Sequence, residues 1–111
     1  MKLLTNRSGS YLTGDDVADA VMSYALALAR MRRVDRVDIP FMAHDRVIRR
    51  VELVIGWRNQ LTAIPRGSSG DELLEVDTIL ALYAKAAATG VVRAEPFTQE
   101  ELLRHSWPTF D

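Results

Sequence analysis

Three strand-like runs stand back to back between residues 34 and 65, with an Ala/Leu-rich helical pattern on either side. This α-β-β-β-α order constrains the fold most, because short successive strands pair through hairpin turns and bury one face against helices. The expected class is α+β: two layers, with an antiparallel three- to four-stranded meander packed against two main helices. One domain spans 1–111, organised as a helix over 14–33, the meander over 34–65, a helix over 70–89 and a C-terminal region over 91–111.

The first helix is signalled at Thr13-Gly14-Asp15-Asp16, a capping residue with an acid three positions on. Asp15, Asp16 and Asp19 lie where the helix dipole favours negative charge. Val17, Val21, Tyr24, Leu28 and Met31 recur near the helical period, and Ala18, Met22, Ala25, Leu26 and Ala29 widen the stripe. A helix apolar nearly all round needs cover on more than one side, from the second helix or from another protomer.

Val37, Ile39 and Phe41 alternate with Arg36, Asp38 and Pro40, the period of a half-buried strand. Pro40 has no N–H for a ladder, so it belongs at an edge or a bulge. A turn at Ala43-His44-Asp45-Arg46 leads to a second strand with Val47, Val51, Leu53 and Ile55 on one face. Gly56-Trp57-Arg58-Asn59 is the next turn, and Leu61–Ile64 the third strand, stopped by Pro65. Arg36, Asp38, Arg50, Glu52 and Thr62 make the other face polar. Leu3-Leu4 and Tyr11-Leu12 are candidates for extra strand length at the start.

Ser69 with Glu72 repeats the capping-box spacing and opens the second helix, with Gly90 as its terminator. Its stripe is Leu73, Val76, Leu80, Tyr83 and Ala87. Beyond it, Val91–Ala94 reads as a short strand, Thr98–Arg104 as a short helix and His105–Asp111 as an aromatic tail. The tail is expected to pack across a sheet, its own or a neighbouring protomer's.

The chain has 111 residues, 48% of them hydrophobic and 26% charged. That balance fits a globular domain rather than a disordered one. Without cysteine, neither disulfides nor thiolate metal sites arise. The longest apolar stretch, Val17 to Ala29, is broken by Asp19 and Ser23 and is shorter than the ~20 residues of a membrane span. A soluble, cytoplasmic protein without membrane partner or cofactor is expected.

The net charge of −1 hides an asymmetry. Residues 30–66 hold nine arginines against four acids, whereas residues 67–111 hold three basic residues against eight acids. The two regions can neutralise one another within the fold or between protomers. The arginines are also the best candidates for an anion or nucleic-acid face, through Arg32, Arg33, Arg36, Arg46, Arg50 and Arg58, with Trp57 available to stack on a base. Double-stranded RNA-binding domains share the α-β-β-β-α order but open their second helix with a lysine-rich signature. Here that position reads Asp71-Glu72-Leu73-Leu74-Glu75, of opposite charge, so the family is not assigned.

Other chemistry is thinner. Gly67-Ser68-Ser69-Gly70 lacks the lysine of a phosphate loop, and Asp71 and Glu72 oppose an anion at that helix end. Asp71, Glu72 and Glu75 are ordinary first-turn carboxylates with no histidine beside them, so no metal site is assigned. His44 and His105 fall on loops without a converging acid and nucleophile, so no catalytic residue is assigned. Trp57, Trp107 and Phe110 stand on a turn and a tail, where aromatics serve as contact anchors. Together with Val21, Met22 and Leu26 they are the interface candidates. The leading expectation is a non-catalytic interaction or assembly module, homodimeric through its apolar helices, with an unknown protein partner also possible. A nucleic-acid-binding domain and a small-molecule enzyme without a recognisable motif are the competitors.

Overall fold

The computed structural model describes residues 1–67 and 72–90. It is α+β: a five-stranded antiparallel sheet with two helices, in the order β1 (Lys2–Asn6), β2 (Gly9–Thr13), α1 (Asp15–Arg30), β3 (Val34–Met42), β4 (Ile48–Gly56), β5 (Thr62–Pro65), α2 (Val76–Gly90). The expected α-β-β-β-α series is present, preceded by a hairpin that makes the sheet larger than a three- to four-stranded one. That hairpin turns at Arg7-Ser8, where the Asn6 carboxamide oxygen accepts from Ser8 N, Ser8 Oγ and Gly9 N at 2.9–3.0 Å. This side-chain mimic of a backbone turn fixes the register from Lys2↔Thr13 to Asn6↔Gly9.

The expected meander is corrected by the strand order, β4-β3-β2-β1-β5. β5 leaves β4 and pairs with β1, from Lys2↔Pro65 to Thr5↔Thr62. A flat five-stranded sheet would hold its edge strands about 19 Å apart. The turn closed by the Gly56↔Asn59 bridge leaves only Gln60 and Leu61 to cross that gap. Their reach is roughly 10 Å. The sheet therefore curls, and α1 lies within the curl against β1, β3, β4 and β5. Both edges are defended, β5 by its brevity and Pro65, β4 by Arg49 and Arg50.

β3 pairs with β4 along its whole length but meets β2 at a single pair, Leu12↔Met42. The Pro40 carbonyl accepts a 2.8 Å bond from the Thr13 hydroxyl. Because N and C=O of one strand residue point the same way, its ring nitrogen also faces β2, where no ladder bond is lost. Pro40 is thus locally at an edge although β3 is interior. α2 packs on α1, and Thr78, Ala81, Leu82 and Lys85 line a groove with Asp35–Asp38 of β3.

The core is built on Leu4, Val17, Val21, Tyr24, Leu28, Val37, Ile39, Leu53, Ile55 and Leu82. Two capping expectations change. α1 is capped by Gly14 without a side-chain bond, since the Thr13 hydroxyl serves Pro40 instead. Glu72 lies outside α2: its carboxylate accepts from Asp15 N and from the Met1 amine, at the positive end of α1. α2 accordingly starts at Val76, later than the sequence spacing suggests. Gly14 permits this crossing, because a Cβ there would meet the Leu73 carbonyl oxygen at 1.8 Å. The expected strand at 91–94, helix at 98–104 and aromatic tail lie outside the described residues.

Candidate functional site

The arginines do not share one sheet face, which corrects the expected basic face. Arg36 and Arg50 point outward with Asp38 and Glu52, but Arg50 is committed. Its Nε donates to Asp38 Oδ1 at 2.5 Å and its Nη1 to Glu75 Oε2 at 2.8 Å. The bond from Arg50, and then that from Thr78, holds the Glu75 carboxyl below its ordinary range. Arg49 pairs with Asp45 at 2.9 Å at the β3–β4 turn, which also carries exposed Arg46 and exposed His44.

Arg32, Arg33 and Arg58 gather at the other end of β4. Trp57 N donates to Arg33 O, and Gly56, at φ +114°, brings the two turns so close that a Cβ would meet Arg33 O at 2.4 Å. Glycine alone takes that backbone angle without strain. The guanidinium carbon of Arg32 stands 5.4 Å from the centre of the Trp57 ring, and that of Arg58 stands 5.5 Å from it. Both distances are within cation–π range. Arg32 and Arg58 have left-handed backbones, φ +56° and +63°. That conformation costs a side chain of this size energy. Behind this cluster the Tyr24 hydroxyl donates to Asp35 at 2.5 Å. Burial, then that bond, pushes the phenol up to about 12, and the same bond lowers the Asp35 carboxyl.

Where the edges of the curled sheet approach, an open cleft of about 1070 Å³ lies between β4, the 57–61 crossover and the β1–β2 turn. Arg7 and Ser8 stand on one wall, Arg58, Asn59 and Gln60 on the other, with Glu52 the acid among the lining residues. Among the described residues neither Arg7 nor Arg58 makes an ion pair. Sequence reasoning passed over Arg7, because only the hairpin brings it opposite Arg58.

Apolar surface is concentrated in two places. On α2, Val76, Leu80 and Tyr83 are 54%, 61% and 43% exposed, with exposed Leu74 preceding them. Their spacing puts them on one helical stripe. On the sheet face away from α1, an aligned row crosses all five strands: Ile64, Leu3, Leu12, Met42, Ile48. Its ends Ile64 and Ile48 are exposed, and its middle is half-buried. Of the interface candidates, Val21 is wholly enclosed in the core and has no surface to offer, a correction that follows from α2 lying alongside α1. Met22 is half-buried against that core, Leu26 is 53% exposed, and Trp57 is partly exposed between its arginines. Trp107 and Phe110 lie outside the described residues.

His44 is a turn residue, and among the described residues no group of three acids or histidines converges as a metal site would require. No described helix is long and apolar enough to cross a membrane. Comparison with known proteins finds no matching family model, no matching curated protein and no matching solved structure.

Proposed function

We propose that the chain is a non-catalytic assembly module that pairs with a second copy of itself through α2. One observation carries the reading: the Val76–Leu80–Tyr83 stripe is exposed although α2 has a second apolar side, Ile79, Leu82 and Ala86, already packed on the core. A helix with one buried and one exposed apolar stripe resembles a helix with one of its two neighbours missing. A two-fold axis beside α2 would bring the stripe against its own copy, residue i meeting residue j and j meeting i. The middle of the sheet row is half-buried and offers less area.

Light scattering across a wide range of protein concentration tests the reading. The expected mass rises to twice the 12.5 kDa of the chain, and Leu80→Lys returns it to the monomer value while leaving the melting of the dilute monomer unchanged. A monomer mass at the highest concentration overturns the proposal.

A further inference from the structure

We propose that the cleft between β4 and the β1–β2 turn binds a nucleotide unit, free or within a single strand. Arg7 and Arg58 would hold its phosphate from opposite walls. The inference is independent of pairing through α2, which uses a different surface.

The ligand class follows from what lines the cleft. Two guanidiniums that make no ion pair among the described residues line a common space, and an anion between them relieves their repulsion while using their donor edges. A bare carboxylate or sulfate would leave most of a cleft of about 1070 Å³ unfilled. The remaining lining is rich in hydroxyl and carboxamide groups, Ser8, Asn59, Gln60 and Thr62, which suit the donor and acceptor edges of a planar base. Glu52 keeps phosphate off the β4 wall and can accept from an exocyclic amino group, so the base lies on that side.

The Arg58 side chain is positioned before any ligand arrives. Its guanidinium lies over Trp57, which orients the planar fork without consuming its N–H donors. The same indole carries Arg32, whose charge adds to the positive potential around Arg58. Trp57 is thus a positioning residue, and the left-handed backbones of Arg32 and Arg58 are the local cost of placing both cations around it.

The test is fluorescence anisotropy with labelled dC and rC 12-mers, whose bases carry the exocyclic amino group, with ATP and pyrophosphate as competitors, on the full chain. With one phosphate engaged, affinity for the strand should fall about 2.6-fold between roughly 50 and 200 mM salt. Arg58→Gly removes the cation at a backbone angle glycine adopts freely, so it should fold, and it should weaken binding about tenfold. Arg7→Gln on the opposite wall should do the same. Arg46→Gly is the control: it has the same left-handed backbone, φ +64°, at the far end of β4, and should leave binding unchanged. Competition by ATP supports the free nucleotide as ligand, and binding of strand alone supports the polymer. No binding at the lower salt overturns the proposal, as does pyrophosphate competing as well as ATP, or equal weakening by Arg46→Gly.

Discussion

α1 and α2 are both rich in alanine and branched apolar residues, yet they end up in opposite situations. α1 lies inside the curl of the sheet with α2 on its flank, so Val17, Ala18, Ala20, Val21, Tyr24, Ala25 and Leu28 are all buried. α2 buries Leu82, half-buries Ile79 and Ala86, and leaves Val76, Leu80 and Tyr83 to solvent. Composition alone cannot separate these outcomes, because each depends on how many neighbours the topology supplies. A helix wrapped by a sheet becomes the core, whereas the helix laid against it becomes a cover with a spare side.

Substitutions along the two helices can break or sharpen that contrast. Leu28 is nearly inaccessible, so its truncation leaves a cavity. Leu28→Ala in α1 should cost about 2–5 kcal/mol in chemical denaturation. Leu82→Ala in α2 should fall at the lower end of that range, about 2 kcal/mol, because fewer layers surround it. A larger loss at Leu82 than at Leu28 would reverse the ranking of the helices. Gly14→Ala should cost about 1–3 kcal/mol by forcing the chain at Leu73 away from the start of α1. Thermal melting would register it alongside the denaturant midpoint.

Acid should act mainly where α2 and the β3–β4 ribbon meet. The folded carboxyls of Asp35 and Glu75 are held below their ordinary values of 3.8 and 4.5. Their contribution is therefore complete above those values and is lost as pH falls through the lowered ones. Calorimetry should show melting temperature dropping below about pH 4.5. Arg50→Gln should flatten the part of that drop owed to Glu75. The smallest effect on stability is expected at Leu80→Ala, within about 0.5 kcal/mol, although the same residue lies at the centre of the proposed pairing. A large loss in a dilute, monomeric sample would mean that Leu80 already packs within the subunit.

Much of this was legible from local pattern. Period-two alternation located β3 and β4, the two turns fell at 43–46 and 56–59, and the apolar girth of α1 called for cover from a second helix or another protomer, of which α2 supplies the first. What was hidden depends on pairing between distant segments. Nothing local in Thr62–Pro65 tells that it leaves β4 for β1, and without that step neither the cleft nor the aligned Ile64–Ile48 row can be drawn. The hairpin was marked by Asn6-Arg7-Ser8-Gly9, a turn sequence whose side-chain bonding becomes clear only in three dimensions. Glu72 carried a genuine cap signal, but its carboxylate went to the start of α1 rather than α2, because the Met1 amine and Asp15 N–H draw it there. The arginines were visible as a charge excess, while their division between the two ends of β4 follows from which turn each of them falls on.

The pairing of β1 with β5 also sets an order of events. During synthesis β1 leaves the ribosome well before β5, so one of its two edges stays bare until residues 62–65 have been made. In that interval Leu3 and Leu4 belong to an unfinished ribbon, able to recruit a strand from another chain. Folding must wait on a contact some sixty residues away, so a slow step is expected at sheet closure. The short, proline-ended β5 is then the latch: it leaves little edge exposed once in place.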